Sequence, residues 1–106
     1  MFQTWEFKVS HGHLLIRSPK TPECPTNIDL MFVAVEYIDL PRHLRGLEME
    51  EPNEADISVI RERLGKPIGS EYSIFVIISD SRRYHVVAAA LKISENELDI
   101  FDSPFI

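Results

Sequence analysis

The chain has 106 residues, enough for one ordinary domain and too few for two separate cores. Eleven Lys and Arg against seventeen Asp and Glu give a net charge of −6, which argues against general nucleic-acid binding because that binding needs clustered basic residues. A single cysteine, Cys24, excludes a fold held together by intrachain disulfides. We therefore expect one domain over residues 1–106 that does not bind nucleic acid.

No segment of the chain has the features of a targeting or membrane-spanning sequence. Residues 1–6 lack the basic and apolar regions of a signal peptide. The longest apolar run, residues 30–35, is far shorter than the ~20 residues that span a bilayer. We therefore expect a cytoplasmic protein that does not associate with membranes.

The first segments of the chain have the pattern of a β-hairpin. Residues 2–9 alternate between apolar and polar side chains, which predicts a strand with Trp5, Phe7 and Val9 on the same buried face. Residues 14–17 resume the alternation after a short polar break that contains Gly12. A glycine in such a break is typical of a hairpin turn, since it adopts positive φ without steric strain.

Two further strands are predicted before the middle of the chain. Three prolines make residues 18–27 a loop. Residues 28–38 are apolar on both faces, which is typical of a strand in the middle of a sheet with cover on each side. Residues 44–50 alternate again and predict a shorter strand.

The clearest helix signal covers Glu54 to Leu64. Asn53 suits the N-cap, because its side chain accepts a bond from a backbone N–H that has no partner within the helix. Gly65 suits the position after the last turn, and Pro67 prevents the helix from continuing. The predicted buried stripe consists of Ile57, Ile60 and Leu64.

The second half of the chain predicts a meander of three strands. Residues 72–79 are mostly β-branched or aromatic, and residues 80–83 form a turn. Residues 84–93 form the return strand, residues 94–97 a second turn, and residues 98–101 the last strand. These elements complete the order ββββ-α-βββ.

We predict an α+β fold in which one strongly twisted antiparallel sheet of six or seven strands packs against one helix. An 11-residue helix covers only part of one sheet face, so either the sheet curls toward a half-barrel or a second copy of the chain covers it. The run of small side chains at residues 86–90 contains three alanines, which are poor strand formers. It predicts close approach by another element, most economically the helix, with a dimer interface as the alternative.

Five acidic residues occur between positions 48 and 56 without a basic residue among them. Exposed carboxylates near a helix start complement the helix dipole and keep a protein soluble. The same charges also suit docking of a basic partner, because complementary charge speeds association and disfavours wrong partners. The candidate partner-binding residues are Glu48, Glu50, Glu51, Glu54 and Asp56.

A second candidate site lies at the start of the return strand. Arg82 and Arg83 offer planar donor forks that bind anions, and Tyr84 and His85 follow them directly. Together they would form the rim of a ligand or anion pocket if they converge between sheet and helix. No nucleophile motif accompanies His85, so we assign no catalytic residue.

His11 and His13 are the only residues with metal-ligand spacing. Two histidines two apart in a strand share a face, but a zinc site needs three or four protein ligands and no further ligand is marked. We expect exposed turn histidines, and neither a metal nor a cofactor.

Two hypotheses from different classes follow. The first is a non-enzymatic protein-interaction module, similar in size and charge to immunity-type inhibitors that block a basic partner. The second is a small-molecule-binding domain or small enzyme with a pocket between sheet and helix. A homodimer is a third option for the excess apolar sheet surface. We favour a protein partner that is basic.

Overall fold

A computed structural model of the chain describes residues 1–99. Within them, six strands precede one helix and three strands follow it. The predicted α+β class with antiparallel strands is confirmed, but the order ββββ-α-βββ is wrong because two predicted strands of the first half each form two shorter ones. The elements are β1 (Phe2–Lys8), β2 (His13–Ser18), β3 (Asn27–Val33), β4 (Tyr37–Asp39), β5 (His43–Leu44), β6 (Glu48–Glu50), α1 (Glu54–Leu64), β7 (Ser73–Ser79), β8 (Arg82–Ala88) and β9 (Ala90–Asn96).

The strands form two antiparallel sheets and not the single sheet that was predicted. Sheet A has five strands in the order β5-β1-β2-β3-β9, and sheet B has four in the order β4-β8-β7-β6. Neither sheet closes into a barrel. The two sheets cover each other on one side, and α1 covers the other side of sheet B.

Two segments of the chain cross from one sheet to the other without losing their mutual pairing. β3 pairs with β9 in sheet A, while β4 and β8 pair in sheet B. At the crossing, the Ala89 N–H donates to Val33 O at 2.9 Å, and the Glu36 N–H donates to Val87 O at 2.8 Å. Ala34 adopts a left-handed conformation there, with φ of 53°. The pair of segments β3-β4 and β8-β9 is termed the bent ribbon.

The predicted alanine run lies at this bend and not against the helix. Ala88 is buried in the core between the sheets, whereas Ala89 and Ala90 are exposed. The predicted approach of the helix to the alanines is therefore wrong. Their small side chains instead leave room for the strand to turn sharply from sheet B into sheet A.

The chain after the bend also differs from its prediction. β9 continues to Asn96, so the turn predicted at residues 94–97 is wrong. Leu98 and Asp99 lie outside the strands. The rest of the strand predicted at 98–101 lies outside the described residues.

The main core lies between the two sheets. Phe32 of sheet A and Phe75 of sheet B make an edge-to-face contact with ring centroids 5.2 Å apart. Four buried side chains come from β2 and β3, three from β7 and β8, and one from β5. They are Leu14, Ile16, Leu30, Phe32, Leu44, Ile77, Val86 and Ala88.

A bulge in β1 changes the face on which its aromatic side chains lie. The register between β1 and β2 shifts at Trp5, which is the extra residue. Phe7 is paired with Leu14 on the core face, whereas Arg17 Cζ lies 5.5 Å from the centroid of the Trp5 ring on the opposite face. The prediction that Trp5 and Phe7 share a face is wrong, because the bulge interrupts the two-residue period.

The face of sheet A that points away from the core carries a buried polar cluster. Arg17 and Asp29 are paired across β2 and β3, with Nε and Oδ1 2.5 Å apart and both side chains almost fully buried. Asn96 Nδ2 donates to Asp29 at 2.9 Å, and Asn27 Nδ2 donates to Asn96 at 3.0 Å. Since a shifted register would leave the buried charges unpaired, this cluster favours the observed strand pairing.

The helix has its predicted bounds and caps. Asn53 Oδ1 accepts from the Asp56 N–H at 2.9 Å, and the Asp56 carboxylate accepts from the Asn53 N–H at 2.8 Å, which completes a capping box. Gly65 ends the helix with φ of 69°. Ile60 of the predicted stripe is fully buried, and the other two members are half-buried. No helix within residues 1–99 is long and apolar enough to cross a membrane.

Candidate functional site

The side of sheet B that faces the helix carries a series of charged side chains. Strand residues alternate between faces, and the registers place Arg83 and His85 of β8 on the helix side, with Asp39 of β4 beside His85. The first turn of α1 brings Asp56 over this face, and its last turn brings Arg63. The connected set is termed the interface network and consists of Glu50, Arg83, Asp56, His85, Asp39 and Arg63.

Asp56 is the centre of the interface network, with a side chain only 5% exposed. Oδ1 accepts from Arg83 Nε at 3.2 Å and lies 2.8 Å from His85 Nε2. Oδ2 accepts from Arg83 Nη2 at 2.7 Å and from the Asn53 N–H at 2.8 Å. These bonds, above all those from Arg83, hold the pKa of Asp56 well below its ordinary value of 3.8 against the opposing effect of burial. The carboxylate is therefore ionised at neutral pH, and His85 Nε2 carries the proton between them.

His85 uses one ring nitrogen and leaves the other without a hydrogen bond. Nδ1 is buried and has no hydrogen-bond partner among residues 1–99, and Asp39 Oδ2 lies 3.9 Å from it. Arg63 Nη1 donates to the same Asp39 carboxylate at 3.3 Å. No hydroxyl or thiol of residues 1–99 bonds to the ring, so the pair of His85 and Asp56 has no nucleophile beside it to activate. The geometry suits anchoring of the helix on the sheet.

Four of the five predicted partner-binding acids lie on the surface. Glu48 and Glu50 are exposed on β6, which is an edge strand of sheet B, and Glu51 and Glu54 follow at the start of the helix. Glu50 accepts from an arginine of the interface network at 2.6 Å. The other three form no ion pair with any residue from 1 to 99. Asp56 is buried in the interface network and is not part of this surface.

The four predicted rim residues do not line one concave site. Arg83 and His85 point toward the helix, whereas Tyr84 between them packs against the core between the sheets. Arg82 is exposed at the end of the β7–β8 turn. Because adjacent strand residues point to opposite faces, no single pocket includes all four.

A shallow pocket of about 170 Å³ lies between the C-terminal end of α1, the loop that follows it and the edge of sheet B. It is termed the helix-end pocket. Its walls combine apolar side chains with two carboxylates, one ammonium and one phenol. They include Glu36, Leu64, Lys66, Glu71, Tyr72 and Val87.

Of the two histidines with metal-ligand spacing, His11 lies in the turn between β1 and β2 and His13 is the first residue of β2. The rings of His11 and His13 are 5.7 Å apart and tilted by 35°. Within the part of the chain that the structure describes, no group of three or more metal-ligand side chains comes together.

Comparison of the chain with models of protein families, with curated proteins and with solved structures finds no match. The functional assignment therefore depends on the side chains and surfaces of this chain alone.

Asp39, Arg63 and the helix-end pocket were not predicted from the sequence. All three depend on where β4 and the bend before it lie relative to β8, and no local sequence pattern predicts that β4 pairs with β8. The one available signal was His85, because a histidine within an apolar strand requires a hydrogen-bond partner when buried. That signal does not name the partner.

Proposed function

We propose that this protein is a non-enzymatic interaction module that binds a basic protein partner through an acidic edge. The acidic edge consists of Glu48, Glu50, Glu51 and Glu54. One observation carries the proposal: these exposed carboxylates follow a sheet edge into a helix start, and three of them form no ion pair within residues 1–99. Such a surface lacks its own counter-charges and attracts a complementary one.

The charge distribution supports a role in association. The chain carries a net charge of −6, and the acidic edge concentrates part of it on a short exposed segment. Complementary charge accelerates encounter by roughly 10–10³-fold over a neutral surface and falls with ionic strength. Because these side chains are exposed and flexible, a partner gains their attraction with little desolvation.

The strand edge supports a basic partner over a second copy of the chain. β6 is paired on one side by β7 and has no strand on its other side among the described elements. Such an edge can pair with an extended segment of another chain. Met49, 37% exposed between the acids, adds an apolar contact. Two acidic edges repel each other, so the occupant we propose is a basic segment.

In this role the protein acts by covering the basic surface of its partner. A compact domain that covers a basic surface of its partner blocks the function of that surface, which is the manner of an immunity-type inhibitor. Arg83 contributes by binding both Glu50 of the acidic edge and Asp56 in the first turn of the helix, which holds the helix start beside the edge.

The test compares two variants of equal charge. The first carries Glu48→Lys, Glu51→Lys and Glu54→Lys, and the second carries lysine at three exposed acids elsewhere, namely Glu23, Glu62 and Glu97. Each immobilised protein is incubated with lysate of the source organism at low and high salt, and retained proteins are quantified by mass spectrometry. The association rate of each retained protein is then measured.

We expect a basic protein that wild type and the second variant retain at low salt and that the first variant loses. Its association rate with the first variant should fall by about tenfold or more. Equal retention and equal association rates for the two variants would show that the acidic edge is not the binding surface.

A further inference from the structure

The helix-end pocket already holds one ammonium group against a carboxylate. Lys66 Nζ lies 3.9 Å from Glu36 Oε1, and the Lys66 side chain is 61% exposed. Glu36 and Tyr72 line the same pocket, and hydrogen bonding and charge from Glu36 raise the pKa of the Tyr72 phenol. The contact with Lys66 is longer than a hydrogen bond and exposed to solvent, so it is weak and displaceable.

A second carboxylate is directed at the pocket by the loop after the helix. A Cβ atom at Gly69 would lie 2.8 and 2.9 Å from the two carboxylate oxygens of Glu71, so that side chain folds back directly over the glycine. The Tyr72 N–H donates to Gly69 O at 3.1 Å, which closes the loop. Any larger residue at position 69 would push the Glu71 carboxylate away.

The size and walls of the pocket restrict the kind of cation that fits. Its volume of about 170 Å³ is below the ~300–1,000 Å³ of sites for drug-sized ligands, and it suits one unbranched chain. Leu64 and Val87 supply apolar wall, against which a methylene chain packs. Among the lining residues from 1 to 99, Tyr72 is the one aromatic side chain, and these residues do not form an aromatic cage for quaternary ammonium.

We propose that the helix-end pocket binds a primary alkylammonium group. The ammonium is held by Glu36 and Glu71, the methylene chain packs against Leu64 and Val87, and Lys66 is displaced toward solvent. This chemistry belongs to a lysine side chain of another protein and to a free aliphatic diamine. The pocket lies at the other end of the helix from the acidic edge, so this inference does not rest on the function proposed above.

The test titrates the isotope-labelled protein and follows its amide and methyl signals by nuclear magnetic resonance. Three probes are used: Nα-acetyl-lysine N-methylamide, 1,5-diaminopentane, and the neutral control Nα-acetyl-norleucine N-methylamide. We expect saturable shifts at Leu64, Tyr72 and Val87 with at least one amine and none with the neutral control. Tighter binding of the lysine derivative identifies a protein side chain as the occupant, and tighter binding of the diamine identifies a free amine.

Three variants test the assigned residues, and a fourth is a control at the acidic edge. Glu36→Gln combined with Glu71→Gln should weaken amine binding at least about tenfold, because both charge-assisted contacts are lost. Gly69→Ala should weaken it by displacing the Glu71 carboxylate while the fold is retained, since only the end of a flexible side chain has to move. Lys66→Met should strengthen it, because the competing ammonium is removed.

The fourth variant, lysine at Glu48, Glu51 and Glu54, should bind the amines as wild type does, which separates this site from the acidic edge. Two results would overturn the proposal: equal shifts with the neutral control, or amine binding that the changes at Glu36, Glu71 and Gly69 leave intact. Far-ultraviolet circular dichroism of each variant confirms that the protein is folded.

Discussion

Replacing Asp56 by Asn should destabilise the fold out of proportion to the one atom that changes. The carboxylate of Asp56 faces four donor contacts, two at each oxygen: Arg83 Nε and His85 Nε2 at Oδ1, and Arg83 Nη2 and the Asn53 N–H at Oδ2. An amide has one acceptor oxygen, so its NH₂ group must meet two donors in either orientation. The negative charge that balances Arg83 also disappears.

The magnitude follows from the burial of each partner. Breaking a buried ion pair by removing one partner destabilises a protein by about 3–5 kcal/mol. The Arg83 side chain is 33% exposed and keeps its contact with Glu50, which reduces the loss to about 2–3 kcal/mol. The cap on the helix is largely retained, since Asn53 Oδ1 still accepts from the backbone N–H of residue 56. For a domain of this size the loss corresponds to a decrease in Tm of roughly 10–20 °C.

The assay is urea unfolding, followed by the fluorescence of Trp5 and by far-ultraviolet circular dichroism, with coincident curves as the check on two-state behaviour. Glu54→Gln is the matched control, because it makes the same chemical change in the same turn at an exposed side chain without an ion pair in residues 1–99. We expect the control to change stability by less than about 0.5 kcal/mol. If Asp56→Asn falls in that same small range, Asp56 does not anchor the helix.

Because the pKa of Asp56 is lowered in the folded state, its contribution to stability is fully present above the ordinary pKa of 3.8 and is lost as the pH falls below that value. The urea midpoint should therefore decline less in Asp56→Asn than in wild type between pH 7 and pH 3. Parallel curves of midpoint against pH would contradict this prediction. Ala34→Gly should raise the free energy of unfolding by about 0.5 kcal/mol, because glycine relieves the left-handed strain at φ of 53°. The greater flexibility of glycine in the unfolded chain offsets part of this stabilisation. The control is Ala55→Gly on the exposed helix surface, which should lower the free energy of unfolding.

The helix could be predicted completely because its signals are local. Asn53, Gly65 and the apolar spacing between them lie within a few residues of the ends they determine, and the structure has the same bounds. The residues of the interface network could be predicted only in part. Arg83, His85 and Asp56 were each singled out, but the sequence placed them in two separate sites. Their meeting depends on how the helix crosses the sheet.

The strands were harder to predict because sheet membership is not a local property. Residues 28–38 divide into β3 and β4 at a bend over residues 34–36, where Ala34, a non-glycine residue, has positive φ and the chain passes into the other sheet. Residues 44–50 divide in the same way between the two sheets. The two-residue period at Trp5 is broken by a bulge that no residue type announces. In each case the deciding contact comes from a distant strand.

The bent ribbon has a consequence for how the chain folds. Its two arms are far apart in the chain, with Asn27 and Asn96 in contact although 69 residues apart in sequence, and all elements from β5 to β7 lie in the loop between the arms. Closing so long a loop is entropically unfavourable before the pairing forms, which is typical of slow folding. Each arm contributes one strand to sheet A and one to sheet B, so neither sheet has all its strands until both arms are in place. We therefore expect the amide protons of β3 and β8 to exchange with solvent at a common rate, through one opening event that separates both sheets at once.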